Sequence, residues 1–185
     1  MLTVETPFER ASPQVASWVD QLNAMSKEFK SGTVNAAKWQ AFLVQRFSLI
    51  PSGQPCRTDS GGIRFNDLTF IEITFQDLPC FQEQSRHDWR GCRFLKCDFT
   101  GFQVAKFDLR GAEFVECSGP FNLHGANLND CQFKNCNLSG CNLDRSKLVR
   151  VRVFGCDLRQ AKVDDANLQD ADFRAVEFNG QTRPC

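Results

Sequence analysis

Tyrosine is absent from this chain of 185 residues, and histidine and methionine occur only twice each. The aromatic residues are instead 18 phenylalanines and three tryptophans. A core that offers no partner for a hydroxyl group favours phenylalanine over tyrosine. Two histidines also provide few ligands for a metal centre. The composition therefore predicts an apolar, phenylalanine-rich core, with no metal and no cofactor.

An excess of charge of one sign is also missing. Lysine and arginine total 22, as do aspartate and glutamate, so no overall field attracts nucleic acid or an anionic membrane. No apolar run approaches the roughly 18 residues that a membrane-spanning helix needs. The N-terminus, MLTVETPFERASPQ, has no basic patch followed by an apolar run, which predicts no export signal. We therefore expect a cytoplasmic protein with one core, in which nucleic-acid binding is disfavoured.

The most regular feature of the chain is a repeat of five residues. Large apolar residues, here called centres, recur at this spacing in twelve consecutive positions from 123 to 178. The residue two places before each centre is mostly small, and Asn or Asp commonly lies between them. Shorter runs of the same pattern have centres at 94–114 and, more loosely, at 65–75. The twelve consecutive centres are Leu123, Leu128, Phe133, Leu138, Leu143, Leu148, Val153, Leu158, Val163, Leu168, Phe173 and Phe178.

A period of five fits neither the helix period of 3.6 nor the strand period of 2. Two inward residues followed by a turn describe a very short extended segment, and a chain that turns the same way at every repeat coils into a solenoid. The motifs ANLND (126–130), ANLQD (166–170) and ADFRA (171–175) resemble those of the pentapeptide-repeat family. The resemblance implies a mainly β fold, a right-handed four-sided β-helix with about four repeats, or twenty residues, in each coil.

The domain organisation follows from where the repeat begins and ends. We predict an N-terminal helical hairpin and linker over 1–62, the β-helix over 63–180 and a short tail over 181–185. Residues twenty apart should then lie above one another at about 4.8 Å, and opposite charges recur at that spacing, although Asp144 falls over Asp164. The opposite-charge pairs are Arg145 with Asp165, Arg150 with Asp130 and Asp170, and Arg152 with Asp172.

Two breaks interrupt the frame of the repeat. Phe114 and Leu123 are nine residues apart where ten would keep phase, and Phe75 and Phe94 are nineteen apart where twenty would. We interpret each break as a coil that is one residue short at a corner; a four-residue bulge is the alternative for the first. The short-coil interpretation places Phe102 over Phe121 and aligns four thiols in one inward column. This column consists of Cys97, Cys117, Cys136 and Cys156.

Ten cysteines could indicate disulfides, metal binding or thiol chemistry. Their spacing of five differs from the CxxC pattern of zinc and redox sites, and an inward cysteine behaves as a small hydrophobe. We therefore predict that the thiol column is a structural core ladder, whereas Cys56, Cys80 and Cys185 lie outside the frame and are candidates for exposure. The leucines predicted to line the core beside it are Leu128, Leu138, Leu148, Leu158 and Leu168.

One stretch carries residue types that could support nucleophilic catalysis. CFQEQSRHDWRGC (80–92) contains Cys80, Glu83, His87 and Asp88, which would form such a site only if the fold brought them together. No glycine elbow, oxyanion donor or second histidine accompanies them, so we expect a polar loop that interrupts the coil. His124 is expected on the outer face. We therefore predict no catalytic residue and no enzyme activity.

The N-terminal region has helical rather than five-residue periodicity. Ser12 and Pro13 suit a helix start, Gly32 suits its end, and TVNAAKWQAFLVQRF (33–47) is typical of a second helix. Such a hairpin would cover the first open coil, because a solenoid end exposes apolar centres and unpaired strand edges. Alternatively, the helices dock a partner through Trp18 or Trp39.

We predict a non-catalytic protein-interaction module that presents flat β-helix faces and has no small-molecule substrate. Only seven residues follow Phe178, so the open final coil, with Phe173 and Phe178 as contact residues, predicts a homodimer. The family resemblance adds an alternative, because some members mimic DNA and bind type II topoisomerases such as DNA gyrase. Net zero charge and the ending NGQTRPC depart from that pattern. A secreted bacterial effector is the remaining alternative.

Overall fold

A single parallel sheet organises the protein. The computed structural model describes residues 33–35, 37–41, 65–75, 88–100, 102, 104–119 and 121–178. Within these ranges, seven strands of three residues each pair in sequential order, and the chain winds as the predicted four-sided β-helix. The strands are β1 (Thr33–Asn35), β2 (Thr69–Ile71), β3 (Arg93–Leu95), β4 (Glu113–Val115), β5 (Gln132–Lys134), β6 (Arg152–Phe154) and β7 (Asp172–Arg174).

The predicted coil length of twenty residues is confirmed by the strand register. Phe94 pairs with Phe114, and Phe133 pairs with Val153, which in turn pairs with Phe173. On the other three faces, eight of the ten single bridges between successive coils have the same spacing, and the exceptions, Thr74 with Asp98 and Asp108 with Asn127, fall at the two frame breaks. Each inward centre therefore lies above the centre of the preceding coil, which builds a continuous apolar shaft.

The turn at the end of each repeat is made by two polar positions. The second residue after a centre has a left-handed backbone, as at Asn135 with φ of 53°, a region that Asn, Asp and Gly enter most easily. The Asn or Asp before a centre accepts a hydrogen bond from the backbone two residues on. The Asn137 side chain accepts from the amide of Ser139 at 3.1 Å, and Asp157 accepts from the amide of Arg159 at 2.9 Å. This Asx turn explains why Asn and Asp recur at that position.

The first frame break is a short coil, as predicted, since Phe114 pairs with Phe133 nineteen residues later. Gly119 stands where the next centre is expected, with φ of 112°. A Cβ there would lie 2.5 Å from the backbone nitrogen of Thr100. The backbone register places Phe102 over Phe121 as predicted, since the amide of Val104 donates to the carbonyl of Asn122 at 3.0 Å. The ring of Phe121 stacks on that of Phe99, with centroids 4.6 Å apart. Phe121 thus fills the space that a glycine leaves empty.

The prediction of a short coil at the second break is wrong. Phe70, not Phe75, pairs with Phe94, which gives a spacing of twenty-four residues. The ring of Phe75 stacks on that of Phe99 at a centroid distance of 4.8 Å. The predicted pairing differs from the observed pairing by one whole repeat. Because phenylalanine occupies every centre here, this difference leaves the apolar pattern unchanged.

The prediction that the second helix begins at Thr33 is also wrong. Residues Thr33–Asn35 form β1, and Val34 pairs with Phe70, so the sheet begins inside the region predicted as a helical hairpin. Residues 37–41 are helical, and the Asn35 side chain caps this segment by accepting from the amide of Lys38 at 3.0 Å. β-Branched Thr33 and Val34 favour the strand.

The remainder of the predicted hairpin and the linker lie outside the described residues. Over the ranges that the structure describes, no helix is long and apolar enough to cross a membrane.

The filling of the shaft changes along its length. In the N-terminal half the rings of Phe70, Phe94, Phe114 and Phe133 form one stack, with successive centroids 5.2, 4.8 and 4.6 Å apart. In the C-terminal half, leucine and valine replace most phenylalanines, and an apolar cavity of about 30 Å³ remains between them. The core is therefore more completely filled at the N-terminal end than at the C-terminal end.

Candidate interaction surfaces

The thiol column lies inside the shaft. Cys97, Cys117, Cys136 and Cys156 are each at most 2% exposed, and the amide of Cys136 donates to the sulfur of Cys156 at 3.3 Å. Three further thiols are buried outside this column, those of Cys92, Cys131 and Cys141. Burial raises the pKa of Cys131 and of Cys141 to about 12, so their reactive thiolates are scarce at neutral pH. Leu128, Leu138, Leu148 and Leu158 are buried beside these thiols, whereas Leu168 is half-buried.

The possible nucleophilic stretch is described only at its end. Cys80, Glu83 and His87 lie outside the described residues, as do Cys56 and Cys185. Asp88 accepts two hydrogen bonds from the guanidinium of Arg90, at 2.8 and 2.7 Å, and one from the Asn66 amide at 3.2 Å. Burial alone would raise the pKa of Asp88, but these bonds hold it below its usual range. The Asp88 carboxylate is therefore a hydrogen-bond acceptor with a structural role.

Metal-binding clusters are equally lacking in the part of the chain that the structure describes. No group of three or more His, Cys, Asp or Glu side chains there is arranged to hold a metal ion. His124 is half-buried on the outer surface, and its amide donates to the side chain of Asn122 at 3.1 Å.

The charged side chains form local pairs. An aspartate before a centre binds the arginine after it, as Asp108 binds Arg110 at 2.7 Å and Asp157 binds Arg159 at 2.7 Å. The sequence carries this signal as an Asp-x-Arg motif around the centre, but the five-residue frame alone does not predict the pairing. These pairs neutralise charge within one repeat rather than between coils.

The predicted ladders between coils are present in part. Arg150 binds both carboxylate oxygens of Asp130, at 2.7 and 2.8 Å, and Arg145 lies 3.7 Å from Asp165. One predicted pair takes another partner, whereas Asp144 and Asp164 lie over one another as predicted and are joined by a hydrogen bond. Asp172 pairs with Arg174 at 2.8 Å rather than with Arg152, and Asp144 accepts a hydrogen bond from the amide of Asp164 at 2.9 Å.

One of the four sides exposes apolar side chains. On the outer side of β2–β7, here called the strand face, the position after the centre carries a hydrophobic residue in four of six coils. Ile71, Leu95 and Val115 are half-buried there, and Phe154 is 54% exposed. Lys134 interrupts this apolar column, but its ammonium binds Glu113 at 2.7 Å. Sequence reasoning missed the column, although polar residues fill most equivalent positions on the other faces.

Three of the four predicted contact residues, Trp39, Phe173 and Phe178, lie at the two ends of the shaft. The fourth, Trp18, lies outside the described residues. Trp39 is 1% exposed, and its ring lies 5.2 Å from that of Phe75 and 5.9 Å from that of Phe70. Trp39 is thus buried over the first coil, which leaves its ring almost no surface for a partner. Phe173 and Phe178, with centroids 5.9 Å apart, are half-buried at the opposite end.

Comparison with solved structures gives low overall similarity. A pentapeptide repeat protein from the thylakoid lumen of Arabidopsis thaliana is 21% identical, over 57% of this chain and 70% of that one, with a TM-score of 0.48. Rfr23 from the cyanobacterium Cyanothece 51142 is 15% identical, over 64% and 89%, with a TM-score of 0.38. QnrB1, a plasmid-mediated fluoroquinolone resistance protein, is 16% identical, over 66% and 85%, with a TM-score of 0.28.

A search of curated proteins found no match. Residues 126–182 match the family model for a pentapeptide repeat region. This match covers the coils in which the five-residue frame, the Asx turns and the twenty-residue register coincide. Residues 126–182 are therefore identified as a pentapeptide repeat region.

Proposed function

We propose that the protein is a non-catalytic scaffold that binds a partner protein on the strand face. The observation that carries this proposal is the apolar column, because Phe154 is the large hydrophobic side chain that the described residues leave exposed, at 54%. An exposed aromatic residue on a rigid flat surface is a typical anchor of a protein interface. The column runs along five successive strands, so a partner would contact several coils at once.

The surroundings of the column favour a protein contact over a membrane or a nucleic acid. Glu113 lies between Arg93, at 2.8 Å, and Lys134, at 2.7 Å, so charges beside the column are balanced. An apolar centre with a rim of paired charges is typical of protein interfaces. We place this role in the cytoplasm, a reducing compartment in which the seven free buried thiols of the described residues would stay reduced.

The test is affinity capture from native cell extract with three forms of the protein. Phe154→Ser removes the anchor. Val149→Ser is the matched control, because Val149 occupies the equivalent outward position one repeat earlier, on the neighbouring face. We expect the wild type and Val149→Ser to retain the same partner and Phe154→Ser to lose it. Identical captured sets from all three forms would refute the proposal.

The DNA-mimic alternative requires a surface of continuous negative charge. Here the carboxylates of Asp88, Asp108 and Asp157 are each bound to an arginine two residues away, which removes the charge that a topoisomerase would recognise. A DNA gyrase supercoiling assay tests this alternative directly, and we expect no change in supercoiling at micromolar excess of the protein.

A further inference from the structure

The two ends of the shaft differ in how far their apolar side chains are covered. At the N-terminal end, the buried ring of Trp39 covers the first coil. At the other end, the last coil (159–178) exposes apolar side chains that earlier coils bury. Within the described residues, nothing covers this surface, here called the open end. Its apolar floor consists of Val163, Ala166, Leu168, Ala171, Phe173, Val176 and Phe178.

Backbone hydrogen bonding also stops at the open end. In each earlier coil, the amide of a centre donates to the coil that follows it. Leu143 donates to the carbonyl of Lys162 at 2.8 Å, and Leu148 donates to that of Asn167 at 2.8 Å. The equivalent amides of Val163 and Leu168 donate to no acceptor in the ranges that the structure describes. An edge with unpaired amides is a template for a further strand.

The charge of the open end differs from that of the coils before it. Residues 157–178 carry six carboxylates and three cations, whereas 121–156 carry two carboxylates and five cations. Three aspartates of the last coil are exposed, namely Asp164, Asp165 and Asp170, here called the acidic rim. Only Asp165 has an arginine within 4.0 Å, and that pair is 3.7 Å apart with both side chains mostly exposed.

We propose that the open end binds a cationic, strand-forming segment of a partner protein. The segment would continue the coil around one corner, so that it accepts a hydrogen bond from the amide of Val163 on one side and from that of Leu168 on the next. Its inward apolar side chains would lie on the floor, and its cations would contact the acidic rim. A second copy of this chain would bring an identical acidic rim against the first, so like charges oppose end-to-end pairing. This inference rests on the proposed scaffold function and names the chemistry of one partner.

The test uses the full chain and a synthetic peptide of alternating valine and lysine with blocked ends. A peptide of alternating valine and glutamate is the charge control. Asp165→Asn/Asp170→Asn neutralises the rim at two positions with left-handed φ of 57°, which asparagine adopts well. Glu72→Gln/Glu116→Gln, at two positions with φ of 53°, removes the same charge far from the open end. Fluorescence anisotropy measures binding, and amide hydrogen exchange locates it.

We expect the valine–lysine peptide to bind and to protect the amides of Val163 and Leu168 from exchange. Neutralising the rim should weaken binding roughly tenfold, while the control variant should keep wild-type affinity. Equal affinity of the rim variant, equal binding of the glutamate peptide, or no binding would overturn the inference. Light scattering that showed self-association through these amides would also overturn it. Protection on the strand face instead would refute the open-end site but leave the proposed scaffold function intact.

Discussion

Replacing Gly119 by alanine tests whether the short coil is built as described. The backbone at Gly119 has φ of 112°, and a Cβ would meet backbone atoms of Thr100 at 2.5 Å and of Phe99 at 2.8 Å. Neither neighbour is a flexible side chain, so the two coils must separate or the turn must change. Backbone strain contributes about 1–3 kcal/mol, and overpacking a closed core costs about as much again. We therefore expect Gly119→Ala to lower the free energy of unfolding by about 3 kcal/mol or more.

The matched control is Gly111→Ala. Gly111 also has a positive φ, 69°, but a Cβ there would meet nothing within 4 Å. Only the left-handed backbone then opposes the side chain, which costs about 1 kcal/mol. Urea unfolding followed by circular dichroism measures both variants. Equal losses in the two variants would refute the argument, because they would show that contact with the coil above contributes nothing at Gly119.

Four further outcomes are expected. Cys136→Ala should lower the free energy of unfolding by only about 1 kcal/mol, because alanine keeps a small apolar side chain in the column. Leu138→Asp should prevent folding, because it buries an unpaired charge. Thermal melts distinguish the two variants. The seven buried thiols should not react with a thiol reagent in the folded protein, and all ten cysteines should react in urea. Lys134, and then Arg93, hold the pKa of Glu113 below its usual range, so the stability from this carboxylate is present above about pH 4.5 and lost as pH falls further. Unfolding of Glu113→Gln should therefore depend less on pH in the acid range than unfolding of the wild type.

Much of the solenoid could be predicted because its periodicity is strong. The family resemblance implied the coil length, and the five-residue frame predicted the inward thiols and the short coil at Gly119, since both depend only on which side chains face inward. The spacing between Phe70 and Phe94 could not be predicted in the same way. Where every centre is phenylalanine, a register shifted by one repeat buries the same rings, so the apolar pattern does not distinguish the two.

The outer surface was harder to predict than the core. Thr33–Asn35 joins the sheet because an edge is available there, and two β-branched residues are too short a pattern to predict a strand by themselves. The Asp-x-Arg pairs and the apolar column depend on which residues flank a centre, and the frame leaves those positions unconstrained. Phe154 occupies such an unconstrained position: its neighbours in sequence follow the repeat without a break, so the frame does not mark it as an exposed residue. Candidate interaction surfaces therefore follow from the three-dimensional structure rather than from periodicity.

The gradual replacement of phenylalanine by leucine and valine along the shaft has a mechanical consequence. Each coil touches only its neighbours, so a solenoid loses structure from whichever terminus is held least firmly. The ring stack that ends at Phe133 resists separation of the early coils, whereas the cavity and the unpaired edge weaken the late ones. Under tension, the molecule should peel from its C-terminal side, one turn at a time, while the aromatic half stays wound.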